Sequence, residues 1–180
     1  MKTHYEFRSV KNIIGNAIAG MLLLCFIATA VSGQAPPNPP PPQENIQASA
    51  LIIPMDNVNQ GNAGGTTFNL RAYGLVNHLL QNNIPVKWAI KPGKAKDATD
   101  FTANVIRIAG AAGVAGPANV SFSGGAFIVS HEYDNPSTRA LITSFNSGGT
   151  AVTVYHTQAD VLVDVRYNVT HKPLIAIGPD

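Results

Sequence analysis

Cysteine occurs once in this chain of 180 residues, at Cys25, and charged residues make up only 12%. A lone thiol excludes a disulfide within the chain and a zinc site built from several thiolates. Three catalytic or nucleotide-binding signatures are also missing: the GxSxG elbow of serine hydrolases, the HExxH helix of zinc proteases and the GxxxxGK[ST] phosphate loop. Ser121, Ser123 and Ser130 therefore stand without a frame for nucleophilic chemistry. Long uninterrupted apolar runs are scarce too, because Gly15, Asn16 and Gly20 break the amino-terminal one.

What is present starts with that amino terminus. Residues 1–33 pass from a basic start (MKTHYEFRSVKN) through an apolar stretch (IIGNAIAGMLLLCFIATAV) to a small-residue exit at Ser32 and Gly33. This is the layout of a secretory signal peptide, with cleavage expected after Gly33 or, second, after Ala30. The competing reading is a retained membrane anchor, since about 20 apolar residues span a bilayer. Cleavage would remove Lys2, Lys11, Arg8 and Glu6, leaving nine basic and nine acidic residues and no cysteine. A neutral remainder has no electrostatic case for a nucleic-acid partner. An exported domain without disulfides fits a bacterial secreted or cell-surface protein, or a periplasmic one.

Residues 34–48 contain APPNPPPP and read as a stiff proline-rich linker. From residue 49 to 180 strand and helix signals alternate. The run ALIIP (50–54) reads as a strand buried on both faces, residues 68–81 as an amphipathic helix capped by Thr66 or Thr67, and PVKWAI (85–90) as a second strand. Together they predict a right-handed βαβ crossover joining parallel strands. Residues 101–112 fit a strand or a short helix equally well. A third strand is expected at 124–130, a helix at 135–145 opened by Asn135 and Pro136, a fourth strand at 151–155, a short strand or extended segment at 161–165 and a fifth strand at 174–177. The last has no helix after it to cover it, so the domain is expected to continue past Asp180 as readily as to end there.

The expected fold class is thus α/β: a three-layer sandwich around a mostly parallel sheet, possible truncation at the carboxyl terminus included. The succession of strand, polar turn, helix "NLRAYGLVNHLLQNN" and strand "IPVKWAI" resembles the opening of the class I glutamine amidotransferase-like, flavodoxin-like fold. The nucleophilic cysteine of that family has no counterpart here, so its chemistry is not implied. The longer stretch "ALIIPMDN" to "KPGKAKDATDF" resembles the amino-terminal domain of uncharacterised exported, often multidomain proteins of Bacteroidota-type bacteria. That resemblance implies a surface or secreted location and assigns no catalytic residue.

In an open α/β sheet, ligands bind beyond the carboxyl ends of the strands. On that layout Asp56 and Asn57 follow the first strand, Lys91, Lys94, Lys96 and Asp97 the second, and His131 and Glu132 the third, all along one edge. Asp56, His131 and Glu132 are the candidate catalytic residues, as base or acid. Asn57, Lys91, Lys94, Lys96 and Asp97 are the candidate ligand-binding residues, the lysines suited to an anionic group. The plain alternative is that loops of this architecture are polar whatever they do. No metal site and no cofactor is expected: His131, Glu132 and Asp134 lack metalloprotease spacing, and His78, His156 and His171 stand singly. The first functional reading is a binding or structural module of an exported protein, meeting an extracellular glycan or peptide. The second is an extracellular hydrolase or lyase using the edge carboxylates. The third is a periplasmic domain touching the membrane only through an uncleaved amino-terminal segment.

Overall fold

A computed structural model describes residues 42–61 and 67–172. The expected leader, most of the linker and the strand expected at 174–177 lie outside the described residues. Within them the chain forms β1 (Gln43–Ile46), β2 (Leu51–Ile53), α1 (Asn57–Gln60), α2 (Arg71–Gln81), β3 (Val86–Ala89), β4 (Phe101–Ala109), β5 (Ala118–Phe122), β6 (Phe127–Val129), a 3₁₀ turn (His131–Tyr133), α3 (Pro136–Asn146), β7 (Val154–Thr157) and β8 (Val161–Val169). β1 lies inside the span read as linker.

The strands make one eight-stranded sheet in the order β1-β8-β3-β6-β2-β7-β4-β5. Every neighbouring pair is antiparallel. This corrects the expected parallel, flavodoxin-like α/β sandwich. The crossover β2-α2-β3 does join two strands of the same direction, since both run antiparallel to β6, but β6 lies between them. The crossover β6-α3-β7 is likewise split, with β2 as the strand in its middle. Two interlocked split βαβ units give the inner order β3-β6-β2-β7, the connectivity of a ferredoxin-like β-α-β-β-α-β unit. A crossover helix fixes the relative direction of two strands and leaves open whether a third enters between them, and that is why the local pattern misled.

The hairpin β4–β5 extends the sheet beyond β7, and β8 with β1 extends it beyond β3. Residues 101–105 (FTANV) alternate buried and exposed, as in an antiparallel strand with one wet face. The sheet is curled, because β4 and β8 touch although four strands separate them in the order. Its two faces hold separate cores. Leu51, Ile53, Val129 and Val154 pack under Leu75, Leu79 and Ile142 of the helices. Ile52, Ile128, Val105, Phe122, Tyr155, Val163 and Val165 fill the inside of the curl. There the Phe122 ring meets those of Phe101 and Tyr155 at 5.2 and 5.6 Å.

The helices form where local chemistry favours them. Asn135 caps α3 by accepting from the Thr138 amide at 3.0 Å, with Pro136 in the first turn. α2 buries Ala72, Leu75, Val76, Leu79 and Leu80 along one stripe. Arg71 ties α2 to the end of α3: its guanidinium donates to the carbonyls of Phe145, at 2.7 Å, and Gly148, and lies 4.8 Å from the Phe145 ring centroid.

Candidate functional site

The antiparallel sheet separates the residues that the sequence placed together. Asp56 and the segment from Lys91 to Asp97 lie at the end where β2 and β3 finish. β6 runs the other way, so His131 and Glu132, which follow it, stand at the opposite end.

At the first end Asp56 is buried, and its carboxylate is engaged by the fold. Oδ1 accepts from the Asn59 amide at 2.8 Å and from Asn59 Nδ2 at 3.1 Å. Oδ2 accepts from Asn59 Nδ2 at 3.2 Å and from the Ser123 amide at 3.3 Å. Asp56 is thus the cap of α1 and a clasp on the turn between β5 and β6. Gln60 completes this plug: Nε2 donates to Thr153 O at 3.0 Å and Oε1 accepts from the Thr153 amide at 2.7 Å. Asn57 is exposed on α1.

Asp100, which sequence reasoning passed over, organises the lysine loop. Its side chain is 1% exposed, with Lys94 Nζ 3.3 Å from Oδ1. Oδ1 accepts from the Lys91 amide at 2.8 Å and Oδ2 from the Gly125 amide at 2.9 Å. Lys94 also donates to Ala98 O at 2.7 Å. Lys96 and Asp97 face solvent, 3.9 Å apart and 93% and 81% exposed. Of the four candidate residues in this loop, Lys91, Lys96 and Asp97 are exposed and Lys94 is drawn inward.

At the opposite end His131 Nδ1 lies 3.1 Å from Glu132 Oε2. Both border a polar cavity of about 230 Å³ with Glu44, Gln47, Lys87 and Ser130. Lys87 Nζ is paired with Glu44 Oε2 at 2.6 Å, so one cation and one anion of the rim already neutralise each other. Nearby, Asp134 receives Arg139 in bidentate fashion, both bonds at 2.7 Å, and His156 Nε2 lies 3.4 Å away. The Asp134 carboxylate raises the Arg139 pKa chiefly by this hydrogen bond. Among the described residues no group of three or more His, Cys, Asp or Glu could hold a metal ion.

A third feature was invisible in the sequence. Trp88 of β3 pairs with Phe127 of β6 on one side and with Tyr167 of β8 on the other. The three rings form a row across adjacent strands, nearly parallel, with centroids 6.4 and 5.8 Å apart. Trp88 Nε1 donates to Gly125 O at 3.0 Å, which fixes the indole. A Cβ at Gly125, where φ is +75°, would collide with that nitrogen. Tyr167 is 55% exposed, and Arg166 Cζ lies 5.5 Å from its ring centroid. Only the pairing register brings these rings together, and register is not readable from one strand at a time.

No protein-family model, curated protein or solved structure matches the chain.

Proposed function

We propose that this chain is a bacterial secreted or cell-surface module whose role is binding or structural support, meeting an extracellular glycan or peptide. The observation that carries the reading is the engagement of Asp56: both carboxylate oxygens accept hydrogen bonds from the chain itself. A general base needs a lone pair directed at its substrate. Asp56 directs its own at Asn59 and Ser123, and its work is to hold the ends of β2 and β5 together. Export rests on the three-part amino terminus and on a remainder without cysteine.

The hydrolase or lyase reading keeps one foothold, the His131–Glu132 pair beside the polar cavity. The two readings separate in one experiment. The full chain is incubated with polysaccharide and peptide panels while retention and product are both followed. Saturable retention without product is expected. Turnover that disappears in Glu132→Gln would overturn the module reading in favour of the enzyme.

A further inference from the structure

We propose that Lys87 and Asn168 join through a side-chain amide bond, a cross-link between β3 and β8 that the chain forms by itself with Glu44 as its acid–base group. This goes beyond the module reading and needs no ligand.

The three side chains come from consecutive strands, β1, β8 and β3. Lys87 Nζ donates to Glu44 Oε2 at 2.6 Å and to Asn168 Oδ1 at 3.2 Å, so one amine touches both a carboxylate and a carboxamide. The lysine and glutamate side chains are 23% and 30% exposed. An amine and a carboxamide free in water hardly react, but held within about 3–3.5 Å they gain the advantage of an intramolecular reaction. Lys94, the other inward lysine, faces the Asp100 carboxylate and the Ala98 carbonyl and has no carboxamide to attack.

The sheet itself makes this juxtaposition. Lys87 and Asn168 are direct partners across β3 and β8. Lys87 shares a face with Ala89, and Glu44 with Ile46, both of which line the inside of the curl. On β8 that face is held by Val163 and Val165, and simple alternation would turn Asn168 away from it. Trp88 pairs with Tyr167 but Ala89 with Val165, so Arg166 is an extra residue in β8. This bulge returns Asn168 to the face of Lys87, as bulges re-aim side chains.

The reaction balances within the three groups. Glu44 takes a proton from the Lys87 ammonium along their hydrogen bond, which frees the Nζ lone pair. That pair forms the bond to Asn168 Cγ, and the carbonyl π pair moves to Oδ1. Glu44 then gives its proton to Nδ2, the pair on Oδ1 re-forms the carbonyl, and the Cγ–Nδ2 bond breaks with its electrons leaving on nitrogen. Nζ passes its second surplus proton to the departing ammonia. Ammonium is released, Glu44 is a carboxylate again, and Nζ keeps one amide hydrogen. Among the described residues Asn168 Nδ2 makes no hydrogen bond, and a cavity of about 190 Å³ beside Lys87, Asn168 and Glu132 gives the ammonium its way out. The bond ties β8, with β1 on its far side, to the inner four strands. With a single cysteine the chain has no internal disulfide for that task.

The test is peptide mapping. The full chain is purified, digested with trypsin and analysed by tandem mass spectrometry. A branched peptide is expected that joins the segments around Lys87 and Asn168, uncut after Lys87 and lighter than the two linear peptides together by one ammonia, about 17 Da. Lys87→Arg and Asn168→Ala should give linear peptides alone. Glu44→Gln keeps the shape of the side chain but not the proton acceptor, so it should be recovered folded, by circular dichroism, and mostly without the bond. Linear peptides with free Lys87 and intact Asn168 from the folded native chain would overturn the cross-link. A complete bond in Glu44→Gln would overturn Glu44 as its acid–base group. Neither result bears on the polysaccharide and peptide panels, so the module reading is judged separately.

Discussion

Asp100 and Gly125 are 25 residues apart, and the Gly125 amide donates to Asp100 Oδ2 at 2.9 Å. The same carboxylate accepts from the Lys91 amide at 2.8 Å, so one buried acid joins the start of β4 to the segments leaving β3 and entering β6. Asp100→Ala leaves two backbone donors without their acceptor and the inward ammonium of Lys94 without its counter-charge. We expect a loss of about 2–4 kcal/mol from unmade, charge-assisted hydrogen bonds. Asp100→Asn, which keeps one acceptor oxygen, should lose less. Urea unfolding of both variants checks the order.

Asp56→Ala removes the cap of α1 and the clasp on Ser123, and about 1–3 kcal/mol of stability should go with it. The expected signature is lower thermal stability with ligand retention unchanged at a temperature where the variant is folded. Retention lost in a fully folded Asp56→Ala protein would mean that this end of the sheet meets the ligand after all.

Acidification should loosen β1. Asp160 accepts from the Ala48 amide at 2.9 Å and from Asn45 Nδ2 at 3.0 Å. These bonds, the Ala48 amide first, hold its pKa below the ordinary carboxylate value. The folded state therefore binds the proton more weakly than the unfolded chain does. The stabilisation is complete above the ordinary range, near pH 4, and is lost as pH falls through the lowered folded value. Protection of the Gln43–Ile46 amides, relative to the exchange rate of an unfolded chain at the same pH, should fall over that acidic interval, and Asp160→Asn should flatten the pH dependence.

Gly125→Ala places a methyl group against the Trp88 indole at a backbone angle of +75°. Overpacking together with left-handed strain should cost about 1–3 kcal/mol. Because the displaced ring is the sole indole, its emission should shift to the red in the folded variant. An unchanged spectrum would show that the indole position does not depend on this glycine.

Much of the local structure was legible. The helix expected at 135–145 is Pro136–Asn146, and that expected at 68–81 contains Arg71–Gln81. Asn135 with Pro136, and the stripe of Leu75, Val76, Leu79 and Leu80, are short-range signals that tertiary packing did not override. Pairing was not legible. β5 (ANVSF) was missed, and β1 (QENI) disappeared into the linker because an edge strand with one buried residue has little apolar pattern. The apolar pattern predicts only residues 161–165, whereas β8 has nine residues, since its far half is mostly exposed.

The candidate site failed as a single edge for the same reason: strand direction decides which turns share an end. Asp56 did carry a readable hint. An Asp three residues before Asn59, at the head of a short polar turn, is helix-cap chemistry. After a buried strand, however, a cap and a ligand-binding carboxylate present the same residue type.

The extra residue at Arg166 makes the two faces of β8 a matter of counting. Upstream of it the odd-numbered valines 163 and 165 look into the curl; downstream Tyr167 and Val169 turn to the opposite face, where Val169 packs against the core under the helices. A one-residue deletion there would exchange inside for outside in the remainder of the strand, whereas a two-residue change would preserve the assignment. In this strand the parity of chain length, more than the composition of the segment, decides which side chains the molecule shows to its surroundings.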